Sequence, residues 1–205
     1  MFLIGRMKCI VIVFIFIVCG SANSTVDAQA VQGNPLAPVT IIEYIDFQCS
    51  YCAQAKKTVD EVMKKYNGQV NLVLKHMPLE FHAGALPAAR YFEALYQRNP
   101  AMAWSFFNLA FSEQAILKNG ENGVQYIIAQ LNLTQRELEQ LSQDITDPLL
   151  DEKINADIAE ADKMGIDEVP FFLVNGYKIE NYDQSVEFNQ VIDRLLLKHK
   201  SSSIR

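Results

Sequence analysis

The chain has 205 residues, half of them hydrophobic, and 18 Lys and Arg stand against 24 Asp and Glu, a formal net charge of −6. That length allows one sizeable domain plus a targeting segment. No basic cluster breaks the acidic balance, which excludes the electrostatic footprint of a nucleic-acid binder, so no nucleic-acid partner is expected.

Residues 1–22 have the layout of a cleaved signal peptide. Arg6 and Lys8 form a positive start, Cys9 to Cys19 is apolar throughout, and Gly20-Ser21-Ala22 offers small residues for cleavage. Ala28-Gln29-Ala30 is a second possible cleavage site. The competing reading is an uncleaved anchor, for which the apolar run is short. Cleavage implies a periplasmic or otherwise extracytoplasmic protein and removes Cys9 and Cys19. Cys49 and Cys52 are then the one cysteine pair, and 16 basic residues face 24 acidic ones, a balance of −8. Residues 23–37 are small and polar, with Gly33-Asn34-Pro35 as breakers, and read as a flexible lead-in.

Val39-Thr40-Ile41-Ile42-Glu43-Tyr44-Ile45 is rich in β-branched and aromatic residues and predicts a buried strand. Beyond it, Ala55, Val59, Val62, Met63 and Tyr66 recur at three and four, one face of a helix closed by Asn67-Gly68. Between strand and helix lies Asp46-Phe47-Gln48-Cys49-Ser50-Tyr51-Cys52. Cys49 therefore falls at the helix N-terminus and Cys52 in its first turn. Free N–H groups and the helix dipole favour a thiolate there, which lowers a thiol pKa from about 8.5 to between about 3.5 and 7.5. A disulfide between these two residues closes almost no loop, so a purely structural cross-link explains it poorly. The expectation is dithiol–disulfide exchange, with Cys49 as the attacking and attacked sulfur. Glu43 shares a strand face with Ile41 and Ile45, which predicts burial and a raised pKa, against the alternative of an edge carboxyl reaching water. Asp46 reads as a surface or turn acid.

Val70 to His76 alternates apolar residues and predicts a second strand, parallel to the first through a βαβ connection. From His82 to Gly165 the pattern is helical. Ala83–Gln97 is one helix. Asn99-Pro100 caps a second that carries Trp104, Phe107 and Phe111. Residues 118–123 read as a loop, Thr134–Glu137 as a capping box, and Asp147-Pro148 as the start of a helix ending at Gly165. Val169-Pro170 then precedes two short apolar runs flanking Asn175-Gly176, a strong hairpin signal. Asp183 is placed as the cap of a last helix with Phe188, Val191, Ile192, Leu195 and Leu196 on its apolar face, and residues from Lys198 onward as a frayed end.

Glu43 to Phe47 leading into Cys49-Ser50-Tyr51-Cys52, with Val169-Pro170 before the hairpin, resembles the DsbA family of thioredoxin-fold thiol:disulfide oxidoreductases. The resemblance covers nearly all of the chain beyond residue 22. It implies an α/β thioredoxin fold with a helical domain inserted between its βαβ and ββα halves. The implied partition is a signal peptide at 1–22, a lead-in at 23–37, the first thioredoxin half at 38–81, the insertion at 82–165, the second half at 166–200 and a tail at 201–205. It further implies introduction of disulfides into reduced exported proteins and reoxidation by a quinone-linked membrane partner. By the same resemblance Cys49 is the nucleophile and Cys52 the resolving cysteine. Pro170 is the cis-proline facing the disulfide, and Val169 lies beside an extended substrate. Glu43 is a buried acid that assists proton movement at the second cysteine. Ser50 and Tyr51 stand where Pro-His is commoner, Glu168 where a small residue is usual, and Phe171 where threonine is. These departures point to a less acidic Cys49 and a narrower, negative rim on the peptide groove. No bound cofactor or metal is expected, since the Cys49–Cys52 pair is itself the redox centre.

Three other readings compete. Isomerase or reductase activity shares this site and differs in redox potential. A copper-delivery protein would use the two thiolates with His76 or His82. A binding module or chaperone would present Trp104, Phe106, Phe107 and Phe111 as an apolar surface, although such a stripe at helical spacing is the signature of a core.

Overall fold

A computed structural model describes residues 29–203; the expected signal peptide at 1–22 lies outside the described residues. Among the described residues, strands β1 (Ala30–Gly33), β2 (Val39–Ile45), β3 (Val70–His76), β4 (Phe171–Val174) and β5 (Tyr177–Ile179) form one sheet in the order β1-β3-β2-β4-β5. β2 and β3 are parallel, with Val39 opposite Val70 and Ile45 opposite His76, and the other pairs are antiparallel. Helix α1 (Ser50–Lys65) makes the crossover that a parallel pair requires. Five helices separate β3 from β4: α2 (Ala85–Arg98), α3 (Pro100–Ser112), α4 (Glu121–Ala129), α5 (Gln135–Asp144) and α6 (Pro148–Met164). Helix α7 (Ser185–Ser203) closes the chain as described. This is the thioredoxin fold with a helical insertion. No helix among the described residues is long and apolar enough to cross a membrane.

Side-chain alternation along β2 divides the two faces of the sheet. Glu43 lies across from Leu74 and Phe172. On that side the Phe172 and Phe188 rings meet edge to face at 5.3 Å, and Tyr66 of α1 donates to Asp193 of α7 at 2.8 Å. Tyr44 and Lys75 point the other way. There Tyr44 donates to Glu160 at 3.0 Å, and Lys75 binds Asp157 and Glu160 at 2.9 Å each, which fastens α6 to the sheet.

Local signals in the sequence and the observed caps agree at several points. Asn99 accepts from the N–H groups of Ala101 and Met102 at the head of α3, Thr134 and Glu137 form the capping box of α5, and Gly165 ends α6 in the left-handed conformation. Asn175 (φ 45°) and Gly176 (φ 85°) supply the two positive φ values of the β4–β5 turn.

Elsewhere the structure differs from expectation. The lead-in contains β1, which pairs along β3 and whose Val31 is held by Tyr96 and Trp104 from the insertion. Four residues running into Asn34-Pro35 carry too weak a pattern to show a strand whose partners are so distant in the chain. The expected loop at 118–123 is the end of a 3₁₀ turn (Gln114–Asn119) followed directly by α4. α1 ends at Lys65, with Tyr66 as its cap, so Gly68 (φ 77°) serves the turn beyond it. α7 opens at Ser185, two residues past Asp183, and runs to Ser203 where a frayed end was expected. Glu187 in its first turn accepts from the backbone N–H of Glu180 and Asn181, which ties the β5–α7 connection to the helix. Trp104, Phe106, Phe107 and Phe111 are buried, so they build the core of the insertion and present no apolar surface.

Candidate active site

The cysteines sit where the strand and helix pattern places them. Cys49 is the N-cap of α1, with extended backbone (φ −73°, ψ 120°), and Cys52 lies in the first turn. Both thiols are free, Cys52 fully buried and Cys49 nearly so. Their environments drive them apart. The Cys49 thiol is pulled down to about 6, first by a hydrogen bond from the Cys52 side chain and then by the backbone N–H groups of Cys52 and Tyr51; burial and the charge of Asp46 work against this. The Cys52 thiol is pushed well up, chiefly by burial and then by its bond to Cys49. Cys49 is therefore largely a thiolate at neutral pH and Cys52 a thiol, despite the Ser50-Tyr51 dipeptide. The Cys52 thiol first, and then the backbone donors of the helix end, supply what a charged neighbour would otherwise give.

Val169 approaches from the far side of the chain, its carbonyl 3.5 Å from Cys49 Sγ, and the Val169–Pro170 peptide is cis. Cys49, Ser50, Tyr51, Phe81, Glu168 and Val169 contribute to the walls of an open cleft of about 740 Å³. Ser50 and Tyr51 are exposed in it, and Glu168 projects from its rim. Pro170 is buried behind Val169, and Phe171 lies half-buried at the start of β4. Phe81 is 78% exposed, a large apolar ring at the cleft edge.

Glu43 lies beneath the cysteines at 1% exposure, and its carboxyl is pushed up to about 8. Burial is the main cause; Lys56 opposes it and Asp60 adds to it. Its charge in turn helps raise Cys52. A group that is protonated at neutral pH and in electrostatic contact with the resolving sulfur is placed to exchange a proton with it.

Other parts of the site were not legible in the sequence. Asp46, expected at the surface, is 1% exposed. Its carboxyl accepts from the N–H of Gln48 at 2.6 Å and of Leu79 at 2.8 Å, and pairs with His82 Nδ1 at 2.8 Å. Gln114 reaches in from the 3₁₀ turn of the insertion and donates its amide to the carbonyls of Phe47 (2.9 Å) and Cys49 (2.8 Å). Gln48 accepts from the N–H of Gly84 at 2.9 Å, and Gly84 itself is so close to Leu117 that a Cβ there would stand 2.2 Å from the Leu117 carbonyl oxygen. Phe47, two residues before Cys49, is packed against Phe92, Phe106, Phe107 and Phe111 at centroid distances of 5.6–5.9 Å. The cysteine loop is thus clamped to the insertion from several directions. The only sequence hint was the polar-aromatic alternation of Asp46-Phe47-Gln48, which does not name partners that lie beyond β3. The two histidines weighed as copper ligands are both committed to carboxyls: His76 to Glu93 at 2.8 Å and His82 to Asp46 at 2.8 Å.

A strand-to-helix CxxC with split thiol acidities, faced by a cis-proline loop, defines a thiol–disulfide exchange centre. Residues 25–194 match the family model described as thioredoxin (Thioredoxin_4), and the chain belongs to that family. Among solved structures it is similar to a thioredoxin-like oxidoreductase from Silicibacter pomeroyi DSS-3, with 26% identity and a TM-score of 0.71, covering 81% of this chain and 91% of that one. A variant of Wolbachia pipientis alpha-DsbA1 with two cysteines changed to alanine matches at 25% identity and a TM-score of 0.73 over 86% and 94% of the two chains. Pseudomonas aeruginosa DsbA2 matches at 26% and 0.67 over 82% and 94%. Within the family the protein is a DsbA-like thiol–disulfide oxidoreductase. The chain is also 30% identical over 154 residues to the Na(+)/H(+) antiporter NhaA of Herminiimonas arsenicoxydans, a match covering 75% of this chain and 23% of that protein. It spans less than a quarter of the length of the curated relatives it matches.

Proposed function

We propose that this oxidoreductase runs as an oxidase, introducing disulfides into reduced proteins exported from the cytoplasm. The observation that carries the direction is the opposed acidity of the two cysteines. A Cys49 thiol held at about 6 is a stable thiolate and a good leaving group, so the reduced protein is favoured and its disulfide is oxidising.

In the proposed cycle a substrate thiolate attacks Cys49 of the disulfide form. The Cys49–Cys52 bond breaks, its electron pair goes to Cys52, and protonated Glu43 supplies the proton that the buried Cys52 sulfur demands. The substrate lies extended along Val169, whose backbone already meets Cys49 Sγ, and is held by strand-type main-chain bonds. A second substrate thiolate then attacks its own mixed disulfide, and Cys49 leaves as the thiolate. Substrate sulfurs are oxidised, the enzyme pair is reduced, and no bound cofactor is needed beyond the pair itself. A quinone-linked membrane partner restores the disulfide, and export rests on the signal sequence at 1–22. The test is the reduction potential of the Cys49–Cys52 pair by equilibration with glutathione. A value near about −120 mV, that of DsbA, supports the oxidase; one near about −270 mV, that of thioredoxin, makes it a reductase.

A further inference from the structure

We propose that His82 accepts the proton of the incoming substrate thiol, held in that task by the buried carboxyl of Asp46. This rests on exchange at Cys49 and adds a group that the exchange reading alone leaves out.

The geometry assigns the ring's two nitrogens. Asp46 Oδ1 accepts from the Gln48 N–H, and Oδ2 accepts from the Leu79 N–H. With both oxygens already acceptors, the hydrogen shared with His82 belongs to Nδ1, and neutral His82 keeps its lone pair on Nε2. The side chain is 19% exposed and forms part of the same cleft wall as Cys49, with the Phe81 ring against it edge to face at 4.5 Å. Nε2 is thus the nitrogen not engaged by Asp46, on a ring that lines the cleft into which Cys49 opens. His76 is the contrast. It too is paired with a carboxyl, but it is 1% exposed and its second nitrogen is enclosed without a partner, so no substrate reaches it.

The chemistry needs such a group. An ordinary cysteine is mostly protonated at neutral pH, and the thiolate is the nucleophile. The substrate S–H gives its proton to Nε2, the sulfur's electron pair forms the bond to Cys49 Sγ, and the Cys49–Cys52 bond breaks toward Cys52. The imidazolium then lies directly on Asp46 and offsets the carboxyl charge that otherwise opposes negative charge at Cys49. Asp46 stands behind the ring; the other ionisable groups around the cleft are Cys49, Tyr51, Lys118, Asp167 and Glu168. Lys118 is the one other base of these that is not an acid or a thiol, and as an ammonium it donates and does not accept.

The experiment compares the oxidised wild type with His82→Asn, whose amide still donates to Asp46 but has no basic nitrogen. Two reductants are used at pH 7: a peptide with an ordinary cysteine, and the same peptide with selenocysteine in its place, a selenol that is already ionised and a strong reductant. Because about 3% of an ordinary thiol is ionised at that pH, the base can gain at most about 30-fold, and a loss of about tenfold is expected with the cysteine peptide. The selenocysteine peptide should react unchanged, and the deficit with the cysteine peptide should close near about pH 9.5, where an ordinary thiol is itself ionised. Equal losses with both peptides would make the ring structural and overturn the proposal, as would no loss with either. A second measurement needs no variant: thiol ionisation alone would raise the rate with the cysteine peptide about 8-fold between pH 7 and 8, so the wild-type rate should rise by about 3-fold or less, and a rise of about 8-fold overturns the proposal. If the wild type oxidises neither peptide, the exchange reading itself fails.

Discussion

Glu43→Gln isolates the energetic consequence of a buried acid under the cysteines. The folded protein holds this carboxyl at about 8, against an ordinary value of 4.5, because burial penalises its charge. The folded state therefore binds the proton more tightly than the unfolded chain does. Stability from this group is complete below about pH 4.5 and is lost progressively as pH rises to about 8, where the loss levels off. Integrating between those limits, the carboxyl costs under about 1 kcal/mol at pH 5 and roughly 3 kcal/mol at pH 7. Glutamine keeps the shape and cannot titrate, so its own offset is independent of pH. Contributions from the two cysteines, common to both proteins, largely cancel in the difference. Urea unfolding of the reduced proteins at pH 5, 6, 7 and 8 should show the variant gaining about 3.5 kcal/mol on the wild type across that range. Parallel stability curves would mean that Glu43 is ionised or hydrated in the folded state, and its assignment as a proton donor to Cys52 would fall with them.

Two further outcomes follow from the clamped cysteine loop. Cys52→Ala removes the hydrogen bond that most lowers the Cys49 thiol, and a bond to a charged group is worth about 1.5–3 kcal/mol, so the thiolate fraction at pH 7 should drop from about nine-tenths to a half or less. Thiolate absorbance or alkylation rate against pH reads this directly, and a midpoint still near 6 would shift the credit to the backbone donors. Phe47→Ala empties the ring site where the active loop meets the insertion and should cost about 3–5 kcal/mol by chemical denaturation. A loss under about 1 kcal/mol would show that loop and insertion are not packed as one core.

What the sequence made legible is what local rules determine. β2 and β3 appear in their full observed spans because β-branched runs bounded by turn residues specify strands, and the caps at Asn99, Thr134 and Gly165 are contacts within a few residues. The position of Cys49 as an N-cap and the lowering of its pKa follow from the same local geometry, whereas the rise at Cys52 comes chiefly from burial, which the local pattern does not show. Val169 and Pro170 entered by resemblance, since nothing in their own neighbourhood says that they face residue 49. Asp46 shows where local reasoning stops. A carboxyl three residues before a helix cap reads as a turn acid, and it is one, accepting the N–H of Gln48. Its burial comes from Leu79 and His82, brought there by the β3–α2 connection.

The same division explains how the insertion bears on the chemistry. A thioredoxin sheet with a CxxC helix already positions a nucleophile, its resolving partner and the Val169 carbonyl. What surrounds them here comes from beyond β3: Gln114 holds the carbonyls of Phe47 and Cys49, Gly84 holds Gln48, and His82 binds Asp46. Each bond ties a backbone or side-chain group of residues 46–49 to a segment that the bare sheet lacks. The Gln114 amide donates to the carbonyls of both Phe47 and Cys49, so it fixes the backbone on either side of Gln48 at the head of α1. The helical insertion therefore holds the loop that carries the redox pair, through hydrogen bonds of 2.8–2.9 Å, as well as forming a wall of the cleft.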